Sequence, residues 1–111
     1  MNSRIWFYNR LSMWTDIDAE TLEHKQWAIE HDGEMVGCTF EPVTSPLMQR
    51  EGIREIVDAA EHSAIDLVIV ETIDYFSRQR SELELFLKRL SENDVSILTK
   101  RQGQIRLPEN N

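Results

Sequence analysis

Cysteine is nearly missing from this sequence. The single thiol, Cys38, excludes an internal disulfide framework and agrees with a reducing compartment. Glycine is scarce as well: there are 4 in 111 residues, with no phosphate-cradling or dinucleotide-binding pattern, so no nucleotide cofactor is expected. No apolar run approaches the roughly 20 residues that a bilayer-crossing helix needs. The opening Met1-Asn2-Ser3-Arg4 carries no signal-peptide core, and the expected location is cytoplasmic. His24, His31, His62 and Cys38 lack metal-ligand spacing, so no metal is expected and the histidines read as surface or packing residues. Basic residues are also in short supply. Twelve Lys and Arg face 20 Asp and Glu, a net charge of −8 that argues against DNA binding by the whole surface. The deficit is uneven, because residues 1–45 and 46–75 each sum to −5 while residues 76–111 sum to +2. A basic final third can lie beside a phosphate backbone, although a solvated face with chance asymmetry fits the charge equally well.

What is present suits one small domain. An apolar share of 41% is enough for a core, and 29% charged residues suit a water-facing surface. Strand-like and helix-like stretches alternate, which predicts a three-layer α/β sandwich around a mainly parallel sheet of four or five strands. Arg4 to Tyr8 reads as the first strand, and residues from about Asp18 to His31 permit a helix, with Leu22 and Ile29 one heptad apart. Asp32-Gly33 signals a turn before a strand from Glu34 to Phe40, and Pro42 to Pro46 is a loop. The next helix begins near Gln49 or Arg50, with Ile53, Ile56, Val57 and Ala60 as its apolar stripe. Ile65 to Val70 is the clearest buried strand. Ser81-Glu82-Leu83-Glu84 has the form of a capping box, and Leu83, Phe86, Leu87 and Leu90 follow at helical spacing. Val95 to Leu98 is a further strand, Gln104 to Leu107 a short last one, and Pro108 ends the fold. Trp6, Phe7 and Phe40 are core candidates; Trp14 and Trp27 are less easily placed, and either fits an exposed contact in an oligomer.

Open sheets of this kind bind ligands beyond the carboxyl ends of their strands. The first strand runs into Asn9-Arg10-Leu11-Ser12 and the third into Asp74-Tyr75-Phe76-Ser77-Arg78. If the two strands are central and parallel, a hydroxyl, two guanidinium groups and a carboxylate meet on one edge. Tyr8-Asn9-Arg10-Leu11-Ser12 resembles the Tyr-x-Arg-x-Ser signature of serine recombinases of the resolvase/invertase family. Arg50-Glu51-Gly52-Ile53 is similar to that family's Arg-x-Gly-hydrophobic segment, and Ile73 to Arg78 to its Leu-Asp-Arg-Leu-Ser-Arg. The three matches fall in order, and the resemblance runs from Ile5 to about Lys100.

The resemblance implies a DNA recombinase in which Ser12 attacks a phosphodiester and forms a 5′-phosphoserine link. It also implies metal-free catalysis, with Arg10, Arg50 and Arg78 as the phosphate-binding arginines. Asp74 would orient an arginine or assist proton transfer, and Tyr8 and Tyr75 are possible accessory residues. A guanidinium suits the task because its planar fork grips two phosphate oxygens and keeps its charge. The implied partner is DNA, with a homo-oligomer for an intact enzyme and a dimer or monomer for a chain this short. The expectation is a single catalytic domain over residues 1–111, without the family's dimer helix and DNA-binding module.

The sequence departs from the family pattern at several points. Tyr75 stands where an arginine is usual, Met13-Trp14 where small polar residues are, Lys25 where a glutamine is common, and Glu41 where an aspartate is. Without the resemblance, Ser12 and Asp74 also read as turn-capping groups, and Arg78 and Arg80 as solvent-exposed charges. A catalytically impaired scaffold for oligomerisation or regulation is therefore the alternative function. Whether the reaction is resolution, inversion or integration stays open.

Overall fold

A computed structural model describes residues 2–105. Its eight main elements are β1 (Ser3–Arg10), α1 (Ile17–Glu30), β2 (Gly33–Glu41), α2 (Glu51–Glu61), β3 (Leu67–Val70), α3 (Arg80–Glu92), β4 (Ser96–Thr99) and β5 (Gly103–Ile105). Single 3-10 turns at Leu47–Gln49 and Ile73–Tyr75 lead into α2 and follow β3. The sheet order is β2-β1-β3-β4-β5; the first four strands are parallel and β5 pairs antiparallel with β4. Among the described residues this is the expected mainly parallel α/β architecture.

Alternation along the strands builds two cores, one on each face of the sheet. Ile5, Phe7 and Ile69 point to one face and pack with Ala28 of α1. Tyr8, Val68, Val70 and Ile97 point to the other, where they meet Ile53, Ile56, Val57 and Ala60 of α2 and Phe86, Leu87 and Leu90 of α3. The stripes expected of α2 and α3 are thus the buried ones, except that Leu83 is half-buried. The layers run α1, sheet, then α2 with α3.

Three expectations change. Leu22 and Ile29 of α1 face solvent, at 57% and 64% exposure, and the buried positions of that helix are His24 and Ala28. The helix turns a different face to the sheet: His24 stacks on Phe7 at 4.4 Å, ring centre to ring centre, Trp27 meets the same ring edge-on at 6.2 Å, and Ala28 is fully buried. The capping box is not formed. α3 begins two residues earlier than a Ser81 cap would place it, at Arg80 behind Gln79; Glu84 pairs with Arg80 Nε at 2.8 Å, and the Glu82 carboxylate accepts the Leu47 N–H across the molecule. Trp6 and Phe40 are half-buried where full burial was expected, whereas Phe7 is buried. The Trp6 indole lies over Gly37, where a Cβ would come within 2.3 Å of the ring, and its N–H donates to Thr39 Oγ1 at 2.8 Å. Of the expected last strand, Arg106 and Leu107, with Pro108 after it, lie outside the described residues.

Candidate active site at the carboxyl ends of the strands

β1 and β3 are neighbours in the sheet with Tyr8 opposite Val70, so the chain leaves both strands on the same edge. A cleft of about 620 Å³ opens there. Arg10, Arg50, Asp74, Tyr75 and Arg78 line it together with Arg101, Glu82 and the loop 43–46. Four guanidinium groups thus face two carboxylates, reversing the sign of the molecule's net charge of −8. Ser12 and Tyr8 are not among the lining residues.

Arg10 is the last residue of β1, and its exposed guanidinium sits with its carbon 5.4 Å from the centre of the Tyr75 ring. The tyrosine face therefore attracts this arginine and helps to orient it. Asp74 and Arg78 are exposed. Thr72 holds the turn that carries Asp74: its hydroxyl accepts the Asp74 N–H at 3.4 Å and the Gln102 side-chain amide at 2.9 Å.

Arg50 differs from the other arginines. It precedes α2 with only 7% of its surface exposed, and its donors go to the carbonyls of Ser45 (2.9 Å), Val43 (3.2 Å) and Tyr75 and to the Tyr8 hydroxyl (3.3 Å). Four of the five N–H groups of a guanidinium are engaged in this way. The Tyr8 hydroxyl donates in turn to Glu41 Oε2 at 2.7 Å, and Glu41 Oε1 accepts the Gly52 N–H at 3.0 Å. Burial and the Glu41 carboxylate push the Tyr8 phenol's pKa up. The motif glycine has a steric role as well. A Cβ at Gly52 would lie 2.4 Å from Thr39 Cγ2 and 2.6 Å from Glu41 Oε2, so only glycine lets α2 start this close to β2.

Ser12 stands on the loop between β1 and α1, half-buried. Thr15 Oγ1 accepts the Ser12 N–H at 2.9 Å and lies 3.2 Å from the Ser12 hydroxyl oxygen. The Trp14 N–H donates to that oxygen at 3.3 Å. Met13 and Trp14 project beside it, 87% and 86% exposed. On the α1 side, Asn9 donates to the carbonyls of Phe7 and Thr39, which leaves its oxygen to accept from His24 Nε2 at 2.7 Å. This fixes the neutral imidazole with its proton on Nε2, and burial lowers the His24 pKa.

The resolvase N-terminal domain model matches residues 5–111. The chain belongs to this resolvase family. Solved structures agree on the fold. The N-terminal catalytic domain of TP901-1 integrase is 16% identical with a TM-score of 0.74, over 90% of this chain and 78% of that one. The C-terminal catalytic domain of ISC1926 TnpA, an IS607-like serine recombinase, is 22% identical with a TM-score of 0.66, over 87% and 68%. A resolvase family site-specific recombinase from Streptococcus pneumoniae is 18% identical with a TM-score of 0.64, over 92% and 74%. No curated protein sequence matches the chain. By family and fold this is a serine recombinase catalytic domain of the resolvase type. Among its described residues no helix is long and apolar enough to cross a membrane, and no cluster of three or more His, Cys, Asp or Glu could hold a metal ion.

Sequence reasoning about this resolvase domain missed Arg101 and Glu82. Glu82 was absorbed into the supposed capping box. Arg101 carried a usable signal, since it follows the carboxyl end of a parallel strand, the same place that pointed to Arg10 and Asp74.

Proposed function

We propose that this resolvase domain cuts and rejoins DNA by transesterification through Ser12. The observation that supports the reading is the arginine-lined cleft to which Arg10, Arg50, Asp74 and Arg78 all contribute, one short loop from the serine. Ser12 Oγ would bond to phosphorus as the bond from phosphorus to the 3′ oxygen breaks. The serine gives up its hydroxyl proton, the departing 3′ oxygen gains one, and the products are a 5′-phosphoserine and a free 3′-hydroxyl. The ester keeps the bond energy, so the reverse attack rejoins strands without ATP. Arg10 and Arg78, both exposed in the cleft, would hold the non-bridging oxygens most strongly as charge builds in the transition state. Arg50 retains one N–H for substrate and otherwise secures the cleft walls, while Asp74 orients an arginine or passes the proton. Tyr8 and Tyr75 serve as accessories by holding Arg50 and Arg10. Attack requires the loop 11–16 to turn toward the cleft and break the Ser12–Thr15 contact. The partner is DNA, within a homo-oligomer, and no cofactor takes part.

The test is Ser12→Ala, assayed for denaturant-resistant attachment of protein to a DNA substrate. The variant should lose all attachment and keep its stability within about 0.5 kcal/mol. Attachment that survives the substitution refutes the reading. A second reading, an impaired scaffold, is favoured by the uncharged Tyr75 and by the commitment of Arg50 to backbone carbonyls. It predicts self-association without binding to duplex DNA at low salt.

A further inference from the structure

We propose that Arg101 is a phosphate-binding residue of this site, supplying from the β4–β5 turn the cation that Tyr75 does not. The inference rests on the phosphate-site reading above and adds a residue that no motif in the sequence marks.

Three observations carry it. First, Arg101 lines the cleft together with Arg10, Asp74 and Arg78. It also lines a smaller neighbouring cleft of about 340 Å³, whose other shared walls are Arg10 and Tyr75. Arg10, Tyr75 and Arg101, the residues common to both hollows, thus form the ridge between them.

Second, the turn that presents Arg101 is fastened to the segment that carries Asp74. The Lys100 and Arg101 N–H groups donate to the carbonyls of Val70 and Glu71, each at 3.0 Å. Gln102 adds a two-way clasp: its amide donates to Thr72 Oγ1 at 2.9 Å and its oxygen accepts the Ile73 N–H at 3.1 Å. Within the turn, the Thr99 hydroxyl donates to the Gly103 carbonyl and accepts the Gln102 N–H. The backbone position of Arg101 relative to Asp74 is therefore set by hydrogen bonds rather than by a free tail.

Third, the side chain is available. It is 63% exposed, and its ion-pair partner is Glu71, with Arg101 Nε 3.6 Å from the carboxylate oxygen. An exposed pair at that separation holds weakly. A phosphodiester, whose two non-bridging oxygens can each accept one of two parallel N–H groups, outcompetes it.

The experiment uses the full chain and two probes, a short fluorescent DNA duplex and inorganic phosphate, in low salt. Arg101→Ala should weaken duplex binding roughly tenfold and reduce the slope of log affinity against log salt by about 1, the effect of one lost phosphate contact. Tyr75→Arg in the Arg101→Ala background should restore most of both, because it returns a cation to the same ridge. Arg89→Ala, which removes an arginine paired with Glu61 far from the cleft, is the control for charge alone and should leave binding unchanged. If Arg101→Ala binds like the parent with the same salt slope while Arg10→Ala and Arg78→Ala lose affinity, the site stands and the Arg101 proposal falls. An equal loss in Arg89→Ala also overturns it. If the parent chain binds neither duplex nor phosphate, the phosphate-site reading itself fails and the proposal goes with it.

Discussion

Arg10, Arg50 and Arg78 belong to one set of motifs, yet the structure divides them into two physical classes that Arg→Ala variants will separate. Arg10 and Arg78 are exposed, and their removal should change stability by no more than about 0.5 kcal/mol. Arg50 is buried and makes four hydrogen bonds. Hydrogen bonds to a charged group contribute about 1.5–3 kcal/mol each, but the four do not add. Ser45 is exposed and Val43 only half-buried, so their carbonyls regain water once the guanidinium is gone. The loss then falls on the Tyr8 hydroxyl, the Tyr75 carbonyl and the loosened loop. We expect Arg50→Ala to cost about 3–4 kcal/mol, within the range for breaking a buried charged network. Urea unfolding is the assay. With a slope of about 1–1.5 kcal/mol per molar for a domain this small, the midpoint should drop by about 2–4 M for Arg50→Ala and by less than about 0.5 M for the other two. Arg50→Lys should fall between them, since an ammonium keeps the charge but cannot reproduce the fork. Equal midpoints for all three alanine variants would refute the division.

Two further outcomes follow from the packing. Gly52→Ala gains up to about 1 kcal/mol of helix propensity but forces Thr39 and Glu41 apart at about 1–3 kcal/mol, so a net loss near 1 kcal/mol should appear in the same urea assay. His24 makes stability depend on pH. Burial depresses its folded pKa below the unfolded value of about 6.5, so the unfolded chain takes up the proton first. Its contribution is fully present above about pH 6.5 and is lost as pH falls toward the folded value. His24→Gln should flatten that part of the stability profile, and an unchanged slope would remove the imidazole from the account.

How much the sequence revealed depended on whether periodicity and burial agreed. In β1, α2, β3 and the body of α3 they did, because apolar side chains alternate or recur every turn and, Leu85 apart, these face the core. In α1 they did not. Its Leu22 and Ile29 lie in water while His24 and Ala28 carry the contact, and no local pattern distinguishes a packed histidine from a solvated one. The supposed capping box failed because the helix starts two residues early, at Arg80, and Glu84 pairs with that arginine rather than reaching back to the Ser81 N–H. The site was legible as two strand ends converging on one edge. The engagement of Arg50 was not, because its acceptors come from a preceding loop, from β1 and from the turn after β3. Arg101 was missed because the motifs stop before the final turn.

The antiparallel pairing of β5 has a consequence for how the cleft comes into being. A fifth parallel strand would have led the chain away into a crossover, whereas the hairpin keeps its tip at the carboxyl edge of the sheet. The cleft walls are therefore drawn from positions 10, 50, 74 and 101, nearly the full span of the described chain. Such a cavity has no partial form: until β4 has docked on β3 and turned back, one wall does not exist. The proposed chemistry at this edge is tied to completion of the whole sheet, and a chain caught midway through folding presents a bare serine loop without the complete cationic cleft beside it.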